Sequence, residues 1–215
     1  MTDIPTQPLS FPVAEAAADR ALLDAAGRGD LQALGEALAA GADTEARDEA
    51  GRTALLMASL ADDVPLAEAL LAAGADVDAQ DNRRDNAWLV TGVTGSVPMM
   101  RALLPAGPDL TLTNRYGGVS VIPASERGHV GYVRAVLAET STDVDHVNRL
   151  GWTALLEAVI LGDGGQVHQE IVEILLATGA DPLLPDGEGV TARAHAERRG
   201  FLAMADVLRA AEAGR

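Results

Sequence analysis

Four leucine- and alanine-rich stretches of this 215-residue chain end in the phrase Gly-Ala-Asp or a close variant. The copies are Gly41-Ala42-Asp43, Gly74-Ala75-Asp76, Gly107-Pro108-Asp109 and Gly179-Ala180-Asp181, and the first three are spaced by 33 residues. The fourth lies 72 residues further on, two repeats plus a small surplus. A fixed period of this size marks stacked supersecondary units, none of which can bury its apolar face alone. Such a stack presents a long continuous surface and seldom an enclosed pocket, so binding is the first function to consider.

Aligning the units shows what each part does. Asp48-Glu49-Ala50-Gly51-Arg52-Thr53-Ala54-Leu55-Leu56 opens one unit and Asn148-Arg149-Leu150-Gly151-Trp152-Thr153-Ala154-Leu155-Leu156 another. Each continues into a second apolar stretch before the Gly-Ala-Asp phrase. Thr53 and Thr153 are placed to cap a first helix by accepting a bond from an orphan amide, and Asp30, Asp63 and Ser96 to do the same for second helices. Pro65 and Pro98 then fall in a first turn, where proline is tolerated. Gly41, Gly74, Gly107 and Gly179 stand where a helix stops through a left-handed residue. Leu55, Leu56, Leu70 and Leu71 supply the apolar seam between neighbours.

This pattern resembles the ankyrin repeat, of the stand-alone bacterial type, over about residues 20–211. The resemblance implies an all-α fold, an ankyrin-repeat solenoid of about six helix-turn-helix units joined by short hairpin-like projections. The units fit about 17–47, 48–80, 81–113, 114–147, 148–185 and 186–212, within a domain of 14–215. The end units depart from the pattern, as capping repeats do. Residues 1–13, with Pro5, Pro8 and Pro12, read as a flexible N-terminal arm.

Departures from the repeat are decay or use. In the third unit Arg84, Asn86 and Trp88 replace the usual glycine, threonine and leucine, and Trp88 is expected in the core. In the fourth, Val119 takes the capping position and Pro123 lies a turn beyond, so that first helix is expected to start late or bend. The fourth unit ends in Glu139-Thr140-Ser141-Thr142-Asp143, without a glycine. The fifth carries surplus residues, assigned to a loop at 162–168 rich in glycine.

The 32 acidic residues outnumber the 16 basic ones, all of them arginine, for a net charge of −16. That balance disfavours nucleic acid and anionic membrane as partners. There is no cysteine, hence no thiolate nucleophile or cysteine-held metal, and no lysine to complete a phosphate-binding loop. No secretory signal or membrane-spanning run is legible, so a cytoplasmic, monomeric protein is expected. His129, His146, His168 and His195 fall in separate units without metal-ligand spacing. Asp143, Asp145 and His146 read as a solvated hairpin tip. No catalytic, cofactor or metal site is expected, and the chain reads as a non-enzyme.

In the ankyrin family, partners are mostly held on the concave face by projecting turns and first helices. Carried over position by position, the candidate partner-binding residues are Arg52, Arg83, Asp85, Arg115, Tyr116, Arg149, Leu150 and Trp152. The resemblance thus implies a non-catalytic scaffold that binds another protein. Tyr116 and Trp152 are expected at exposed projections, and Arg52, Arg83, Arg115 and Arg149 in a basic ridge. The alternative is a small-ligand or metabolite binder, or an enzyme, built on the distorted fourth unit and loop 162–168.

Overall fold

The computed structural model describes residues 11–214, which form six consecutive helix pairs. In chain order these are α1 (Phe11–Arg28) with α2 (Leu31–Ala39), α3 (Ala54–Ala61) with α4 (Val64–Ala72), and α5 (Ala87–Thr94) with α6 (Val97–Leu103). They continue with α7 (Val121–Glu126) and α8 (Val130–Glu139), α9 (Ala154–Ile160) and α10 (Gln166–Ala177), and α11 (Ala192–Arg198) and α12 (Leu202–Ala213). The expected all-α stack is what forms; among the described residues the only β pairing is an isolated bridge between Pro185 and Thr191. Of the arm expected over 1–13, residues 1–10 lie outside the described residues and Phe11–Val13 belong to α1.

Short helices are marginal in water, so each needs its ends satisfied and one face buried. Thr53 and Thr153 accept from Leu56 N and Leu156 N at 3.2 Å, and Asn86 does the same for Leu89 N at 2.8 Å. Asp30, Asp63 and Ser96 cap α2, α4 and α6, with Pro65 and Pro98 in the first turns. The closing glycines are left-handed, with φ from 71° at Gly107 to 105° at Gly179. One apolar core then runs from Leu22 in α1 to Leu208 in α12, with Leu55, Leu56 and Leu70 sealed inside it, Leu71 half-buried and Trp88 buried as expected.

Much of the acidic surplus is structural. At each projection an Asp or Asn accepts from the amides two and four residues on: Asp48 from Ala50 and Arg52, Asp81 from Arg83 and Asp85, Asn114 from Tyr116 and Gly118. Asn148 and Asp186 repeat the arrangement. Such a side chain imitates a backbone turn and holds the hairpin without strands. Adjacent hairpins are tied by single backbone bonds, Asn82 N to Ala50 O, Arg115 N to Arg83 O and Arg149 N to Tyr116 O, of 2.9–3.1 Å. The tips therefore form a fixed row. At one of them Arg84 adopts a left-handed φ of 63° where Gly51, Gly117, Gly151 and Gly189 stand in the other units.

The fourth unit departs as its sequence implies. α7 has only 6 residues and begins one residue late in the repeat, after a turn closed by Ile122 N to Val119 O. The delay puts Pro123 in the first turn, where its missing N–H breaks no helical bond. At the end of α8 the hydroxyl of Thr140 donates to Val136 O at 2.6 Å, doing what a glycine cap does elsewhere. The fifth unit differs from expectation. Only residues 162–165 form a loop, and 166–168 are the first turn of a 12-residue α10. Asp163 folds the loop back by accepting from Gly165 N at 2.8 Å and binding His168 at 2.9 Å.

Candidate partner-binding groove

The hairpin row and the exposed sides of α5, α7 and α9 enclose a groove of about 480 Å³. Its floor comes from one helical position in successive units: Val90, Pro123 and Glu157 each lie four residues beyond the capping position. Tyr116 and Leu150, 52% and 54% exposed, reach over it from the tips of the projections. Leu60 and Leu161 add apolar area at its sides.

Of the eight residues expected to bind a partner, the groove brings together six: Arg52, Arg83, Asp85, Arg115, Tyr116 and Leu150. Arg149 and Trp152 are placed otherwise. The Arg149 guanidinium donates to Arg115 O at 2.9 Å and its stem lies against Gly117, so it clamps two projections together. Trp152 is half-buried and packs against the core instead of standing exposed on its projection. The direction of these two side chains depends on how one unit turns against the next, which spacing does not encode.

Two of the four arginines of the expected basic ridge have a carboxylate beside them, and the other two are tied to neutral groups. Arg52 binds Asp48 through two nitrogens at 2.8 and 2.7 Å, and Arg83 stands 3.9 Å from Asp85. Arg115 donates to the Tyr116 hydroxyl at 2.6 Å with its guanidinium 4.6 Å from the ring centroid. This Arg–Tyr pair forms a preordered plate, and preordering lowers the entropy lost on contact. Burial, with the charge of Asp81 adding to it, holds the Asp85 carboxyl above the usual range, against the opposing pull of Arg83 and Arg115.

Glu157 and Glu126 are groove acids that the candidate set omits. Glu157 is 6% exposed, and Asn148 donates to its Oε1 at 2.8 Å. Burial, then the nearby charge of Glu126, pushes its carboxyl up to about 7, partly offset by the Asn148 bond. The signal was present in the sequence: Glu157 falls where α3 carries Met57 and α5 carries Val90.

The four histidines are engaged. His129 binds Val93 O of the preceding unit at 3.1 Å, and His146 binds Gly117 O at 2.7 Å within the fourth unit. His168 bridges Asp163 and Glu126 O, and His195 pairs with Asp186 at 2.7 Å. Asp143 accepts from Asp145 N and Asp145 from Asp181 N, so this hairpin's carboxylates also serve the turns. Among the described residues, no group of three or more His, Asp or Glu could hold a metal ion, and no helix is long and apolar enough to cross a membrane. A larger depression of about 610 Å³ lies between the outer helices α8 and α10. Arg134, on its wall, is already paired with Glu170 at 2.8 Å, and exposed large apolar side chains do not gather there.

Comparison with known proteins gives consistent results. A family model described as ankyrin repeats in three copies matches residues 88–186, and a single ankyrin repeat model matches 50–82. The ankyrin repeat protein YahD of Escherichia coli K12 is 46% identical over 104 residues, 48% of this chain and 52% of that protein. The chain thus spans about half the length of that curated relative. A solved ankyrin repeat domain from Acinetobacter baumannii AYE is 46% identical with a TM-score of 0.84, covering 89% of this chain and 97% of that one. Another solved ankyrin repeat protein is 36% identical with a TM-score of 0.85, covering 89% and 97% of the two chains.

Proposed function

The chain belongs to the ankyrin repeat family, and from that premise we propose that it is a non-catalytic scaffold that holds a segment of another protein in the groove between its projections and first helices. One observation carries this reading. Of the nine exposed large apolar side chains among the described residues, Leu60, Tyr116, Leu150 and Leu161 gather on this one groove. Scattered singly they would need no explanation, but a contiguous apolar patch rimmed by polar groups marks an interaction site. Tyrosine and arginine are the residue types that most often dominate interface energetics, and here Tyr116 and Arg115 are already ordered against each other.

The test is capture of a partner from native lysate by the wild-type chain and by a Tyr116→Ala/Leu150→Ala double variant. Both side chains are more than half exposed, so their removal changes folding stability little. The expected result is a partner held at least roughly tenfold more weakly by the variant, with an unchanged thermal melt. A partner bound equally by both proteins rules out the groove as the site. Trp152 is left in place because it packs against the core, and its loss would confuse folding with binding.

A further inference from the structure

Resting on the reading of the groove as a protein-binding site, we propose that its α7–α9 end is a receptor for a cationic side chain, an arginine or lysine on the bound segment, held by the carboxylates of Glu126 and Glu157. Ion pairing is uneven along the groove. Towards the earlier units Arg52 is paired with Asp48 and Arg83 stands beside Asp85, the Asp81 carboxylate serves its own turn, and Arg115 lies on the neutral Tyr116 ring. At the α7–α9 end two carboxylates line the wall, and neither forms an ion pair with any described residue. Glu157 is more than nine-tenths buried, faces the groove, and receives a single hydrogen bond, from Asn148.

A buried carboxylate without a counter-charge is costly, so it either takes up a proton, as the raised Glu157 carboxyl does in part, or gains from a cation that pairs with it. Of its repeat-equivalents, Met57, Val90 and Pro123 are apolar and His195 is a histidine bonded to its own hairpin's Asp186, so the fold does not require an acid there. Leu150 and Leu161 flank the pair and suit the methylene stem of a long basic residue, while the charged head reaches the acids. The surrounding charges offer no substitute. Arg127, just past the end of α7, lines the rim without pairing to either acid, and His168 of α10 is held by Asp163 and Glu126 O. His195 of α11 is held by Asp186, and Arg199, just past that helix, by the carbonyls of Val159 and Ile160. The net charge of −16 draws a basic segment towards the chain in the first place.

The test uses a displayed library of random dodecapeptides selected on the full chain at pH 8. Selected peptides are synthesised with each arginine in turn replaced by citrulline, which keeps the shape and removes the charge. The expected result is selection for a basic residue at one position, where citrulline weakens wild-type binding at least roughly tenfold. A Glu126→Gln/Glu157→Gln variant should bind the arginine and citrulline peptides alike. Glutamine in place of Glu157 can still accept from Asn148, so the variant is expected to fold.

pH gives a second readout. Glu157 must be ionised to hold a cation, and its carboxyl sits at about 7 when the groove is empty. Wild-type affinity should therefore fall roughly tenfold from pH 8 to pH 6, and a Glu157→Gln variant should lose most of that dependence. Peptides that bind in the groove without a basic residue, or a citrulline effect of equal size in the carboxamide variant, overturn the cation receptor while leaving the groove standing. Peptides indifferent to Tyr116→Ala/Leu150→Ala, or no selected peptides at all, overturn the groove itself and this receptor with it.

Discussion

Replacing Gly92 by alanine is expected to lower the unfolding free energy by about 3 kcal/mol or more, among the largest effects of any single methyl added to this chain. Gly92 is buried in the middle of α5, and a Cβ there would lie 1.9 Å from Ser120 O and 2.7 Å from Ser120 C. Both atoms are backbone, so no side-chain rotation relieves the clash; α5 and α7 must move apart. One unit earlier, at the equivalent contact, Ser59 carries a side chain and its hydroxyl donates to Ala87 O at 2.7 Å. Between the third and fourth units the carbonyl itself occupies that space, next to the late start that accommodates Pro123. Solenoid stability is approximately a sum of unit and interface contributions, so weakening one central interface can uncouple the two halves. Chemical denaturation followed by circular dichroism should show an earlier midpoint and a broadened or split transition. A midpoint equal to that of the wild type would mean that α5 and α7 do not meet this closely.

Trp88→Ala is expected to destabilise by about 3–5 kcal/mol, the range for emptying a buried aromatic site. Trp88 is 2% exposed and is one of the largest side chains in the core. It lies on α5, whose neighbours α3 and α7 are held by the same tightly placed backbone, leaving little freedom to collapse into the space. Denaturant titration again measures the effect. A loss below 1 kcal/mol would place the indole at the surface, on the scale of exposed substitutions.

Both sites illustrate what a repeat sequence makes legible. The helix pairs, their caps and their closing turns could be read because each depends on residues a few places apart: Thr53 with Leu56, Asp63 with Leu66, Asp48 with Arg52. The late start of α7 followed from Pro123 and the missing cap at Val119 by the same local logic. Trp88 could be placed in the core because it stands at a seam position. What escaped depends on the rotation of one unit against the next. Gly92 looked like a poor helix former until the Ser120 carbonyl stood beside it. Arg149 and Trp152 occupy variable positions of the projections, yet one clamps a neighbouring carbonyl and the other turns to the core. The insertion at 162–168 was read as loop because glycine dominates its start, whereas the capped turn around Asp163 lets α10 begin at Gln166. Glu157 was overlooked for a different reason. Its position is apolar at Met57, Val90 and Pro123 but polar at His195, and an acid there stands out only when the units are compared at that one place.

The central claim is that a protein segment lies along the groove, and site-specific photo-crosslinking tests it most directly. A photoreactive phenylalanine analogue would be placed at Leu150 and at Leu161 in the groove, and at Glu68 and Arg134 on the outer helices α4 and α8, with illumination in native lysate. The account predicts that both groove positions capture the same protein, through a common stretch of its sequence, and that the outer positions capture it weakly or not at all. Capture from Glu68 and Arg134 with none from Leu150 or Leu161 would contradict it and move the interaction to the opposite face of the stack.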